Sequence, residues 1–281
     1  MRLRSLLFVP GDRPDRMEKA LSSGADALIL DLEDSVLPQN KPAARQAVAT
    51  FLAGKRELPV FVRVNALGAR TDVDLAAVVP HGPDGIVLPK AEGAVSLAEL
   101  DRRLTALGNR SAGILPIATE TPKALFALGS YGGVTPRLCG LSWGAEDLPA
   151  AIGAATAREA DGYFTAPFEI VRALALFGAH AAQVPAIETV YPAFRDEAGL
   201  ASYAARGKRD GFSGMLAIHP AQVAVINGAF TPSPAEIAWA RRVVAAFAQN
   251  AGAGAIELDG GMLDAPHLQR AKALLARTED K

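Results

Sequence analysis

Eight short runs rich in Val, Ile and Leu recur along this chain of 281 residues, each closed by polar or turn residues and most followed by a segment of helical periodicity. The runs occupy residues 4–10, 27–33, 59–65, 85–90, 113–120, 137–144, 186–191 and 215–220. Their apolar character is continuous rather than alternating, which is what a strand buried on both faces requires and what a parallel sheet under crossover helices provides. Helical spacing fits residues 15–22, 42–53, 96–106, 164–181 and 195–209. Eight such βα units close into a TIM (β/α)8 barrel, an α/β fold. An open doubly wound sheet is the alternative, because periodicity does not establish closure.

The pattern changes after the eighth run. Pro232-Ser233-Pro234 starts a helix reaching about residue 249, with Ile237, Val244 and Phe247 on one face. Residues 255–258 and 262–263 then flank Asp259-Gly260-Gly261 as a small hairpin, and a last helix follows Pro266. The expected division is a barrel over residues 1–230 and a C-terminal helical and hairpin extension over 231–281, which could be a second subdomain, a lid or an oligomer contact.

Composition narrows the function. Lys and Arg number 29 against 30 Asp and Glu, a net charge of −1, so no basic field exists for nucleic acid or an anionic membrane. An anionic ligand must therefore be met by local charges. The single Cys139 cannot form an internal disulfide, no charged-then-apolar leader follows Met1, and no apolar run reaches transmembrane length. A cytoplasmic protein is expected.

In a β/α barrel the strand C-termini share one face, so distant residues converge there. Strand two ends in Asp31, Glu33 and Asp34, strand three in Arg63 and Asn65, strand four in Lys90, strand five in Glu120, and strand six in Glu146 and Asp147. Glu120 and Asp147, on adjacent strand ends, suit a hard cation such as Mg2+, which takes one or two carboxylates and completes its shell with water and substrate oxygens. The alternative is that each carboxylate merely sits at a helix start, favoured by the helix dipole. Arg63, inward on an apolar strand, needs a compensating anion: a substrate carboxylate or developing oxyanion, or a structural partner such as Glu33 or Asp34. Lys90 and Lys41 carry the same ambiguity and neither is assigned.

The segment from Phe8 to Arg16 lacks P-loop glycine spacing. It does bring Arg13, Arg16 and Lys19 near the first strand's rim, where they contact phosphates or simply form an exposed helix start. His219 has no His or Cys partner for zinc, so it reads as a packing or hydrogen-bonding residue. Trp143 and Tyr191 read as barrel lining, and Ser142 lacks the nucleophile-elbow pattern.

Taken in order, the segments Ser5-Leu-Leu-Phe-Val-Pro-Gly-Asp12, Leu30-Asp-Leu-Glu-Asp-Ser-Val36, Val62-Arg-Val-Asn65, Gly85-Ile-Val-Leu-Pro-Lys90, Glu120-Thr, Trp143-Gly-Ala-Glu-Asp-Leu148, Ile218-His-Pro-Ala-Gln222 and Met262-Leu-Asp-Ala-Pro266 span nearly the whole chain. In this order and at these spacings the chain resembles the citrate lyase β-subunit-like (CitE-like) family of the HpcH/HpaI aldolase superfamily, related to malyl-CoA and citramalyl-CoA lyases. The resemblance implies that Glu120 and Asp147 hold Mg2+, that Glu120 and Arg63 meet the substrate, and that Phe8, Arg13 and Lys19 line the CoA side. It also implies that Asp264 of a neighbouring subunit acts as acid or base, which makes the extension a lid and the assembly a homotrimer or hexamer.

The implied reaction is Mg-dependent, reversible Claisen-type cleavage of a 3-hydroxyacyl thioester such as malyl-, citramalyl- or citryl-CoA to an acyl thioester plus a 2-oxo acid. Alternatives are the β subunit of citrate lyase acting on a citryl acyl-carrier-protein thioester, an acyl-CoA thioesterase, and an inactive CoA-ester-binding subunit. The choice among glyoxylate, pyruvate and oxaloacetate rests with the pocket around the metal.

Overall fold

Burial explains why the apolar runs become strands. In the computed structural model, which describes residues 1–160, 162–250 and 252–279, every residue of β2 (Ala27–Asp31), β4 (Gly85–Leu88) and β8 (Gly214–Ala217) is buried. The other strands are β1 (Ser5–Pro10), β3 (Val60–Arg63), β5 (Gly113–Pro116), β6 (Leu141–Ser142) and β7 (Ala186–Glu188). Most stop short of the apolar runs that predict them, because the chain leaves the ladder where the polar rim residues begin.

The strands are hydrogen-bonded in the order β5-β4-β3-β2-β1-β8-β7-β6, all pairs parallel. In an open sheet β5 and β6 would be opposite edges. Here they meet: parallel bridges join Ile114 to Leu138 and Ile117 to Ser142, with Cys139 N donating to Ile114 O at 3.1 Å and Ala118 N to Ser142 O at 2.9 Å. The sheet closes into a TIM barrel, which removes the open-sheet alternative.

Alternate strand residues meet in one apolar cluster, including Leu6, Ile29, Phe61, Val87, Leu115 and Ile187. Phe61 explains the glycine at the start of β4, since a Cβ on Gly85 would lie 2.2 Å from its ring. The helices are α1 (Pro14–Ala20), α2 (Lys41–Ala53), α3 (Ala69–Val78), α4 (Ala94–Ala106), α5 (Pro122–Leu125), α6 (Leu148–Ile152), α7 (Ala166–Ala181), α8 (Glu197–Asp210) and α9 (Pro220–Phe230). Sequence periodicity does not find α3 or α9. The buried stripe of α3 includes polar Thr71 and Asp74, and α9 reads PAQVAVINGAF, apolar on most sides.

Residues Leu3–Gly228 form one compact unit, and Met1–Arg2 with Ala229–Lys281 form another. In the latter, α10 (Pro234–Gln249) opens with a capping box in which Ser233 and Glu236 satisfy each other's backbone N–H. The antiparallel hairpin β9 (Ala255–Leu258) and β10 (Gly261–Asp264) turns at Asp259 and Gly260, both left-handed at φ 55° and 76°. With α11 (Ala265–Glu279) these elements enclose a small core of Ala240, Val243 and Ala271, packed by Phe247, Leu258 and Leu263. Among the described residues no helix is long and apolar enough to cross a membrane.

Candidate active site

The rim residues face a cavity of about 300 Å3 whose wall includes Phe8, Arg63, Glu120, Trp143 and Asp147. Arg63 ends β3 beside Asp31 at the end of β2, a pairing set by the strand register. Its Nε and Nη2 each donate to Asp31 at 2.7 Å, its Nη1 stands 3.2 Å from Glu33 Oε2, and the guanidinium lies 4.8 Å over the Phe8 ring. Burial disfavours the charged guanidinium, but the bond and charge of Asp31 outweigh it and raise the Arg63 pKa. Burial likewise opposes ionisation of Asp31, and Arg63, Ser35 and the Glu33 N–H overcome it, so this carboxyl sits below its ordinary value. The main partner of Arg63 is therefore Asp31, with Glu33 secondary. Asp34 lines the cavity and forms no ion pair with Arg63 among the described residues.

Glu120 follows β5 and Asp147 follows β6. The helix-start reading fits Asp147 by position and does not fit Glu120. Thr121, not Glu120, caps α5, accepting from Ala124 N. Asp147 stands at the N-cap position of α6 without a capping hydrogen bond. Both converge on Lys90, whose backbone N–H donates to Glu120 Oε2 at 2.6 Å and whose ammonium lies 2.7 Å from Asp147 Oδ2 and 2.9 Å from Glu33 Oε1. Lys90 achieves this with a left-handed backbone, φ 52°, a conformation that costs about 1–2 kcal/mol in a non-glycine residue.

Glu120 is only 8% exposed. Its burial, set against the single Lys90 N–H and reinforced by the charges of Glu33 and Asp147, pushes its carboxyl up to about 7. Burial raises Glu33 as well. A buried carboxylate with like charges beside it and little hydrogen bonding suits a cation, and Asp147, with its side chain 36% exposed, could supply a second ligand. Among the described residues no three His, Cys, Asp or Glu side chains cluster for a metal. The donor set thus fits Mg2+, with other positions left to water and ligand oxygens, and not a closed zinc site.

The back of the cavity is locked by hydrogen bonds. Trp143 Nε1 donates to Glu188 Oε1 at 2.6 Å, while Thr119 Oγ1 both donates to Gly144 O and accepts from Gly144 N. Position 144 must be glycine for close approach, because a Cβ there would lie 2.9 Å from Glu120 Cγ. Lys41 belongs to the scaffold: its buried ammonium donates to Leu32 O, Glu33 O and Asn65 Oδ1, tying the ends of β2 and β3.

The structure thus brings together Phe8, Arg63, Glu120 and Asp147. Arg13, just before α1 and paired with Asp15 at 3.1 Å, and Lys19, on α1, are exposed and do not line the cavity. Asp264 belongs to the other unit, where its Oδ1 lies 2.6 Å from His267 Nδ1. His219 stacks on Phe194 at 4.8 Å and its Nδ1 accepts from Ala221 N, consistent with packing. Lys90 and Asp31 are the residues that sequence reasoning under-weighted; their position at strand ends was the available signal.

Compared with known proteins, residues 4–220 match the family model described as HpcH/HpaI aldolase/citrate lyase. A citrate lyase subunit beta-like protein of Mycobacterium tuberculosis is 38% identical over 274 residues, covering 96% of this chain and 94% of its own. A (3S)-malyl-CoA thioesterase of Cereibacter sphaeroides is 33% identical over 286 residues, covering 98% and 94%. Among solved structures, protein CitE from M. tuberculosis in complex with magnesium, acetoacetate and coenzyme A superposes with a TM-score of 0.82 at 34% identity, covering 99% of both chains.

Proposed function

The chain belongs to the HpcH/HpaI aldolase/citrate lyase family, and we propose that it cleaves, reversibly, a 3-hydroxyacyl-CoA into an acyl-CoA and a 2-oxo acid. The observation that carries this reading is the buried, partner-poor Glu120 sharing one cavity with Asp147 and a fixed Arg63. The magnesium, coenzyme A and acetoacetate held by the M. tuberculosis structure support it.

Glu120 and Asp147 would hold Mg2+, which when bound supplies Lewis-acid stabilisation of negative charge on the hydroxyl and carboxylate oxygens of the substrate. Arg63 is held from behind by Asp31 and offers positive charge to an oxygen that gains charge during cleavage, with no reorganisation at the moment of reaction. Lys90 sets its ammonium against both Asp147 and Glu33 and so fixes where these two carboxyls stand. Once the hydroxyl proton has passed to a water in the cavity, the carbon–carbon bond breaks, the hydroxyl oxygen becomes the carbonyl of the 2-oxo acid, and the electron pair leaves with the acyl thioester fragment as an enolate. Asp264 from a second copy would deliver a proton to that carbon, and would remove it in the synthetic direction. Phe8, Arg13 and Lys19 would take the CoA moiety along the β1–α1 side. The C-terminal extension of that second copy, residues 231–281, would act as the lid that excludes water from the enolate.

A homotrimer or hexamer is the expected assembly, supported by an exposed apolar stripe on α7 formed by Ile170, Leu174 and Phe177 at 61%, 42% and 65% exposure. Thioester hydrolysis is the second reading, favoured by the (3S)-malyl-CoA thioesterase among the relatives. Steady-state assays with malyl-, citramalyl- and citryl-CoA decide between them. Cleavage yields Mg2+-dependent 2-oxo acid plus acyl-CoA, and hydrolysis yields free hydroxy acid plus CoA. No 2-oxo acid from any of the three would overturn the lyase reading. Turnover only of the carrier-protein thioester would reassign the chain as a citrate lyase β subunit.

A further inference from the structure

Phe164 packs against Trp143, ring centroids 5.0 Å apart, and lines a second cavity of about 690 Å3. The two cavities share no lining residue. Its wall combines flat rings, Tyr163, Phe164, Tyr191 and Tyr203, with three arginines, Arg158, Arg206 and Arg209, and no acidic side chain lines it among the described residues. The arginines differ in how their charge is met. Arg206 is gripped by Glu169 at 2.6 and 3.0 Å, and Arg209 lies 3.4 Å from Asp210. Arg158 is held by a ring and a carbonyl: its guanidinium lies 4.0 Å over Phe164 and its Nη1 donates to Gly162 O. Its Nη2 is buried with no hydrogen-bond partner. A buried donor left unmade costs about 1–3 kcal/mol, and more when it is charged, so this nitrogen calls for an acceptor.

We propose that this second cavity binds a small anionic ligand bearing a flat ring, with its carboxylate or phosphate on the Arg158 guanidinium and its ring among the tyrosines. The volume lies in the range of small-molecule sites, roughly 300–1,000 Å3. Stacking on aromatic faces together with a guanidinium fork is the recognition that such a molecule needs. The site also has a built-in reporter. Tyr203 OH, in the wall, and Trp143 Nε1 donate to the same Glu188 Oε1, at 2.9 and 2.6 Å, so a ligand against Tyr203 or Phe164 perturbs the surroundings of Trp143. The inference does not depend on the reaction assigned to the first cavity.

The test is titration of the full chain carrying Trp239→Phe, which leaves Trp143 as its one tryptophan, followed by fluorescence and by calorimetry. AMP and benzoate serve as phosphate-bearing and carboxylate-bearing rings; adenosine and acetate lack the anion or the ring. Saturable one-to-one binding of AMP or benzoate, with adenosine and acetate at least tenfold weaker, is expected, and whichever of the two binds identifies the anion. Arg158→Ala should weaken it at least tenfold, Arg209→Gln a few-fold, and Arg63→Ala and Arg13→Ala not at all. The proposal is overturned if neither ring-bearing anion binds, if the controls bind equally well, or if binding survives Arg158→Ala. Loss in Arg63→Ala or Arg13→Ala would also overturn it, by placing the ligand in the first cavity or on the CoA side. If Arg158→Ala unfolds, unchanged binding in the exposed Arg209→Gln variant has the same force.

Discussion

Glu120 and Glu188 are both buried carboxylates near the C-terminal ends of barrel strands, and the protein treats them in opposite ways. Glu188 is 0% exposed and fully provided for. Its Oε1 accepts from Trp143, Tyr203 and the Thr189 N–H, and its Oε2 meets Arg172, which is itself anchored by Asp210 at 2.7 Å. Glu120 accepts one backbone N–H and lies among like charges. A buried acid with a complete set of donors is scaffold, whereas one left short of them is poised for a ligand. Burial alone does not separate the two; the accounting of partners does.

That contrast can be broken at either end. Glu188→Ala should be the most damaging substitution, costing about 3–5 kcal/mol in urea unfolding because it breaks the buried pair with Arg172, which keeps only its bond to Asp210, and strands the Trp143 and Tyr203 donors. Glu120→Gln should do the reverse, reducing kcat on the order of a hundredfold to a thousandfold in the Mg2+-dependent assay with little loss of stability. If Glu120→Gln proves as destabilising as Glu188→Ala, the distinction between scaffold and site fails.

A smaller effect follows from acid–base linkage. The Glu120 carboxyl is raised from its ordinary 4.5 to about 7, so between those values the unfolded chain releases its proton before the folded one. Without metal, the contribution of Glu120 to stability should be fully present below pH 4.5 and fall by up to roughly 3 kcal/mol as pH rises to 7. Thermal unfolding across this range, wild type against Glu120→Gln, isolates the slope, and Mg2+ should reduce it. A slope of opposite sign in the difference would show that Glu120 is not the group described. Smallest is Gly144→Ala: displacing Glu120 by a few tenths of an ångström should cost about 1–3 kcal/mol of packing and lower activity by about tenfold.

Much of this was legible in the sequence, because the eight apolar runs and the polar residues closing them follow from one-dimensional patterns. Phe8, Arg63, Glu120 and Asp147 converge since parallel strands must end on one face. The residues that hold them were harder to read. Arg63 pairs with Asp31 because the β2–β3 register places them side by side, and Lys90 reaches Glu33 and Asp147 through a side-chain conformation that no spacing encodes. Glu188 looked like any residue ending a short strand, and its donors come from positions 143, 172 and 203. Closure, too, lies outside periodicity, since the contacts between β5 and β6 are isolated bridges and not a regular ladder.

Those bridges have a mechanical meaning. At two residues, β6 is the shortest stave of the cask, and the seam between it and β5 is held by isolated bridges. Glu120 follows one stave of that seam and Asp147 the other. A divalent ion gripping both would act as a rivet across the joint, raising the melting temperature of the whole barrel with its concentration. It would also slow amide exchange at Ala118 and Cys139 more than at β1 or β2. Fastening the barrel and arming its chemistry would then be a single event.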